Sequence, residues 1–197
     1  MPAELVDTFE RAFTKLRGHV HRASSWQQAA DVLLALCAEK SAARFATAKL
    51  PPALDEALTN SANANTVEIM RPPYDSSTLP NAIDQAGVGA TGIEFASAET
   101  ATLVEVSRND STRLVSGLPR VHVGVVSAAQ FVPTLYDAAP RMRTILQENN
   151  ADCVISFLSG PSRTGDIELR LTLGVHGPEE AHVLILDEAL KMGAVHG

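Results

Sequence analysis

The sequence predicts an α/β fold: one domain over residues 1–197, built as a three-layer sandwich around a mostly parallel sheet. Three observations predict it. Apolar runs of strand length alternate with stretches of helical periodicity through most of the chain. Val121–Val126 is nearly continuous in apolar residues, the mark of a strand covered on both faces. The 197 residues are 45% hydrophobic and 20% charged, a balance that supports one sizeable core.

An N-terminal helical segment spans about residues 1–40. Leu5, Phe9, Ala12, Phe13 and Leu16 keep helical spacing and Gly18 stops it. This short helix is expected to serve a partner surface rather than the core. His19 and His21 follow in a turn, with no acidic or cysteine ligand near them in sequence. Ser25 opens a second helix with capping-box spacing to Gln28. Trp26, Ala29, Ala30, Leu33, Leu34 and Cys37 form its apolar stripe, so Trp26 reads as core.

Arg44–Ala48 reads as a strand, Pro51-Pro52 opens a helix, and Thr66–Met70 reads as another strand. Gly87, Gly89 and Gly92 have Gly-x-Gly-x-x-Gly spacing. A strand rather than a helix follows, which excludes the dinucleotide fingerprint. Thr91–Ala98 and Thr102–Val106 read as two strands with Glu99-Thr100-Ala101 between them. Residues 109–119 read as a polar loop. His122, alone in an apolar run, reads as a hydrogen-bonded core histidine. Helical spacing from Phe131 to Leu146 contains Pro140, which should bend or divide that helix.

The richest chemistry lies at Ser159-Gly160-Pro161-Ser162-Arg163-Thr164-Gly165-Asp166-Ile167-Glu168. The apolar run Cys153–Leu158 precedes it, and a helical turn carrying Leu169, Leu171 and Leu173 should follow. Gly174-Val175-His176-Gly177-Pro178 then closes the unit before the run His182–Leu186. Strand, Gly-rich loop, helix and strand would place a ligand at the carboxyl ends of the strands. Free N–H groups at a helix start favour an anion.

Net charge is -7 and the basic residues are scattered, which argues against nucleic acid or an anionic membrane as partner. No apolar run reaches the length of a membrane span, and the N-terminus has no signal pattern. A soluble, cytoplasmic protein is expected. Cys37 and Cys153 form no Cys-x-x-Cys pair, which excludes a zinc ribbon or a Cys-ligated iron–sulfur cluster within the chain. Both read as buried free thiols. No metal set and no cofactor is read from the sequence.

Taken together, several blocks resemble the LUD domain family, best known from the lactate utilisation protein C group. They are Gly89-Ala90-Thr91-Gly92, Ala98-Glu99-Thr100-Ala101-Thr102-Leu103-Val104, Pro119-Arg120-Val121-His122-Val123 with Val132-Pro133-Thr134-Leu135, and the loop from Ser159 through Pro178 to Asp187. The resemblance covers about Gly87 to Asp187. It implies a fold like that of ribose-5-phosphate isomerase, glucosamine-6-phosphate deaminase and the CoA transferases. It also implies a part in oxidising lactate to pyruvate with iron–sulfur partner proteins, which would carry the redox chemistry. One departure stands out: the family has Gly where this chain has Ala101. If that backbone needs positive φ, Ala is strained there.

Two readings of the site follow. In one, the chain is a component of a lactate-oxidising complex with no redox centre. In the other, it is a small-anion-binding enzyme or sensor for a carboxylate, sugar phosphate or CoA ester. Arg163 would then clamp the anion through its bidentate fork, with Thr100, Gly160, Ser162, Thr164 and Asp166 around it. Glu99 would act as base or, by analogy with the CoA transferases, as nucleophile, and His176 would transfer a proton. Each residue also has a structural reading. Thr164 caps a helix whose first turn carries Asp166 and Glu168; Arg163 pairs with one of those carboxylates; His176 is a turn residue; His182 starts a strand.

Overall fold

In a computed structural model, the described residues are 2–62, 67–149, 152–164, 172–174 and 176–190. The chain runs α1 (Pro2–Lys15), β1 (His19–Ala23), α2 (Trp26–Glu39), β2 (Arg44–Ala48), α3 (Pro52–Ala62) and β3 (Glu68–Met70). It continues through α4 (Asn81–Asp84), β4 (Val88–Gly92), β5 (Phe95–Ser97), β6 (Thr102–Ser107), α5 (Asp110–Gly117) and β7 (Val121–Ser127). Then come β8 (Phe131–Val132), α6 (Ala139–Glu148), β9 (Val154–Leu158), β10 (Arg163–Thr164), β11 (Thr172–Leu173) and β12 (Glu180–Leu186).

The core sheet has six strands in the order β1-β12-β7-β4-β2-β3, and every neighbouring pair is parallel. Its central strands are apolar on both faces, and each face has its own cover. Val123, Val125, Leu184 and Leu186 pack under Leu33 and Leu34 of α2 and Leu54 and Leu58 of α3. On the other face, Val126, Val183 and Ile185 meet Phe9 and Phe13 of α1 and Leu103 of β6. A second sheet, β8-β5-β6-β9, joins α1 in that layer, and α6 packs on its outer side against Phe95, Val104 and Val106. The α/β class and the parallel sheet flanked by helices are as the sequence predicts.

Several elements differ from expectation, each for a local reason. Helix α1 is a core element: Phe9 and Phe13 are buried and Phe9 meets the Phe131 ring edge-on, so little of its apolar face is left for a partner. His19 and His21 lie in β1 rather than a turn, because pairing with β12 supplies the ladder. Thr91–Ala98 is divided. It leaves the parallel sheet at Gly92 and enters the second sheet at Phe95. Residues 110–117 are helical, capped by Asn109, whose side chain accepts from the Thr112 N–H at 3.1 Å. Pro140 stands in the first turn of α6, where its missing N–H costs nothing, so it starts that helix rather than bending it. Trp26 is only partly buried, at the margin of the core under α2. Cys37 is buried as expected, whereas Cys153 is half-exposed.

The Ser25 cap of α2 is present, accepting from the Gln28 N–H at 3.1 Å. The reciprocal bond goes to the Ser24 N–H at 2.9 Å, one residue earlier than the standard box. Among the described residues, no helix is long and apolar enough to cross a membrane.

Candidate functional site

The site is assembled from two turns that the sequence keeps about sixty residues apart. The first joins β5 to β6. Phe95–Ser97 pairs antiparallel with Thr102–Val104, which leaves Ala98 to Ala101 as the turn. The Ala98 and Glu99 N–H groups donate to the carbonyls of Val132 and Pro133, at 2.9 and 3.0 Å. These bonds fix the turn and leave the Glu99 and Thr100 side chains exposed. Ala101 is buried with φ at +50°, so this backbone is left-handed, the condition under which an alanine is strained. Its Cβ costs about 1–2 kcal/mol in that conformation.

A run of hydroxyls connects this turn to the second one. Thr100 Oγ1 donates to Ser97 Oγ at 3.1 Å, and Thr102 Oγ1 donates to Thr100 Oγ1 at 2.8 Å. Thr102 Oγ1 also lies 2.7 Å from Ser159 Oγ. Since the Thr102 proton is used toward Thr100, Ser159 donates to Thr102. Ser97 and Thr102 are buried, whereas Thr100 and Ser159 reach the surface.

Beyond Ser159 the chain turns at Gly160, whose φ of +97° favours glycine. Ser162 is held on both sides: its N–H donates to Pro178 O at 2.9 Å, and its carbonyl accepts from the Gly174 N–H at 3.1 Å. This brings the exposed His176 into the turn paired with Ser162. Arg163 is exposed, and its guanidinium donates to Leu16 O just past α1, satisfying a carbonyl the helix end leaves open. Its remaining N–H donors are not used by that bond.

The loop therefore departs from expectation in two ways. Arg163–Thr164 is strand β10, paired antiparallel with Thr172–Leu173. Thr164 and Leu173, read as a helix N-cap and the end of a helical turn, are thus paired strand residues; the rest of that expected turn, residues 165–171, lies outside the described residues. The loop also follows β9 of the second, mixed sheet rather than a strand of the parallel sheet. Asp166, Glu168, Leu169 and Leu171 lie outside the described residues. The geometry joins Thr100 to Ser159 through the hydroxyl run, with Gly160 next in the chain, and sets Ser162, ahead of Arg163, beside the His176 turn through backbone bonds. Glu99 enters by its position next to Thr100.

Between the two sheets lies a polar group that the sequence reading missed. Glu105 of β6 is fully buried, and its Oε1 accepts from Ser116 Oγ at 3.0 Å and Ser107 Oγ at 3.3 Å. Burial pushes its pKa up, against the pull of neighbouring hydroxyls and Lys49. Lys49 itself donates to Val106 O at 2.8 Å, and burial lowers its pKa. His122 is a buried histidine hydrogen-bonded to Thr91 at 2.9 Å, as the sequence suggests. Burial, then the charge of His182, bring it down to about 4. A carboxylate between Val104 and Val106 was the available signal for Glu105.

A second unread group is a histidine cluster. Register across β1 and β12 sets His19 beside His182, with Glu180 two residues earlier on the same strand. The acidic neighbour missing from the local sequence around His19 comes from β12. One ligand atom from each of His19, Glu180 and His182 falls within 4.8 Å of the others.

The chain is similar to known proteins along most of its length. Lactate utilization protein C of Shouchella clausii is 34% identical over 118 residues, covering 58% of this chain and 52% of that protein. The protein of the same name from Bacillus subtilis is 37% identical over 110 residues, 53% of this chain and 44% of that one. The one from Halalkalibacterium halodurans is 28% identical over 190 residues, covering 94% and 80%. The matched part thus spans about half the length of the Shouchella and Bacillus proteins. A crystal structure of a DUF162 family protein from Deinococcus radiodurans has the same fold, with a TM-score of 0.64 over 94% of this chain and 98% of that one, at 21% identity. The LUD domain matches residues 6–186, which extends the likeness well before Gly87, and the chain belongs to the LUD domain family.

Proposed function

We propose that this chain is a lactate utilisation protein C-like component of a system that oxidises L-lactate to pyruvate. It would act with iron–sulfur partner proteins and carry no redox centre of its own. The observation that carries this reading is the likeness to proteins of that name, one of them aligned over 94% of the chain. The thiols are consistent with it. Cys37 packs in the core under α2 and Cys153 against the core under α6, so the two do not converge on one cluster. Burial also pushes Cys37 up to about 12, which disfavours the thiolate that metal binding needs. Lactate oxidation releases two electrons, and in this reading the partners' clusters receive them.

Within that system the chain's own task would be to hold a small carboxylate at the joined turns. The hydroxyl run favours this assignment, because Thr100 and Ser159 present surface hydroxyls beside a loop that carries Arg163. Arg163 would bind the anion with the donors not used on Leu16, and Ser162 would border it. Glu99 and His176, both exposed, would exchange protons with the bound acid. The same groups suit a free-standing small-anion enzyme or sensor.

Copurification separates the two readings. A tagged chain isolated from its native cells should bring down iron–sulfur proteins and lactate-dependent dye reduction, and the chain alone should show no turnover. Lactate turnover by the purified chain without partners would contradict the component reading.

A further inference from the structure

The cluster on β1 and β12 is independent of the joined turns. Alternate residues of a strand face the same side, so His19 and His21 share one face of β1, and His182 and Glu180 share it on β12. His182 is buried; its Nε2 lies 3.2 Å from Glu180 Oε2, and its Nδ1 lies 2.9 Å from His21 Nε2. The His19 ring lies against the His182 ring with centroids 4.5 Å apart. Lys40, at the end of α2, reaches Glu180 at 2.8 Å.

We infer that His19, Glu180 and His182 form a binding site for a divalent transition-metal ion of the zinc class, with a coordination position left open. Two imidazoles and a carboxylate are the donors such an ion takes when it keeps a place for water or substrate. A tetrahedral ion with bonds of about 2.0–2.2 Å holds its ligand atoms roughly 3.3–3.5 Å apart. The His182–Glu180 pair is already near that spacing, at 3.2 Å. With Nε2 as the ligand atom, His182 Nδ1–H donates to His21 Nε2. This is the outer hydrogen bond that orients ligating histidines, and it makes His21 a positioning residue.

His19 completes the set by rotation. It is exposed on an edge strand, so its ring can turn toward Glu180 without repacking the core. His182 is buried, and its ring is held through both nitrogens, by Glu180 on one side and His21 on the other. Lys40 is the competitor: it holds the carboxylate that the ion would take.

A purely structural network predicts no specific ion binding and therefore no gain in affinity on removing Lys40. The test uses the full chain, without an affinity tag and dialysed against a chelator. Co2+ binding is followed by visible absorption and Zn2+ binding by calorimetry, and circular dichroism checks each variant's fold. One ion per chain is expected, with the intense visible bands of four-coordinate Co2+. His19→Ala and Glu180→Gln should each weaken binding at least tenfold, and Lys40→Met should tighten it several-fold. The inference is overturned by a wild-type chain with no such bands. Unchanged affinity in both His19→Ala and Glu180→Gln would overturn it too, as would weaker binding in Lys40→Met.

Discussion

At the scale of single residues, burial decides more chemistry than sequence neighbours do. His122 shows this, since no charged group stands beside it in Val121–Val126. Enclosure between the two sheets favours its neutral form and brings its pKa from 6.5 to about 4. The unfolded chain therefore binds a proton that the folded chain refuses. Stability from this group is present above pH 6.5 and is lost as pH falls toward 4, by up to about 1.4 kcal/mol per pH unit. Glu105 works in the opposite sense: burial raises its pKa, so acidification through its range favours the fold. Urea unfolding at pH 7 and pH 5 should show wild-type stability falling, and His122→Gln should remove about 2 kcal/mol of that fall. An equal fall in both proteins would contradict the assignment. Ala101 makes a related point. Its left-handed φ is set by the hairpin turn, and the sequence offered the matter only as a conditional, because strand and turn are both open to an alanine.

At the scale of elements, periodicity located the buried central strands well and the edge strands, short strands and short helices poorly. Val121–Val126 and His182–Leu186 were legible because strands covered on both faces have few polar positions. Helix α5 was missed because its apolar content is low. Its buried contacts are Thr112, Val115 and Ser116, two of them polar. Its start was nonetheless written in Asn109, whose Oδ1 accepts from the Thr112 N–H and from Ser111 Oγ at 2.8 Å. Asn109→Ala should lower stability by about 1 kcal/mol, read as a shift in the urea midpoint at constant slope. An unchanged midpoint would mean that the cap does not hold α5. The β10–β11 hairpin was missed for another reason. Ser162, Arg163 and Thr164 are equally at home in a cap or a short strand, and only pairing with Thr172–Leu173 decides between them.

At the scale of the whole molecule, the fold class was legible and the meeting of distant segments was not. No local pattern brings His19 to His182, or Thr102 to Ser159; sheet register does both. The candidate anion residues were legible as residue types in two motifs, and the hydroxyl run that connects those motifs emerged only with the pairing of β6 and β9.

The joined turns are proposed to bind a small carboxylate. The most direct measurement of this is the thermal midpoint of the purified full chain titrated with L-lactate and pyruvate, repeated with Arg163→Ala and Thr102→Val. A ligand at a hundred times its dissociation constant should stabilise the native chain by about 2.7 kcal/mol. A saturable rise is expected with at least one of the two acids, abolished by Arg163→Ala and reduced by Thr102→Val. A flat response in the wild type, or an equal rise in all three proteins, would contradict it.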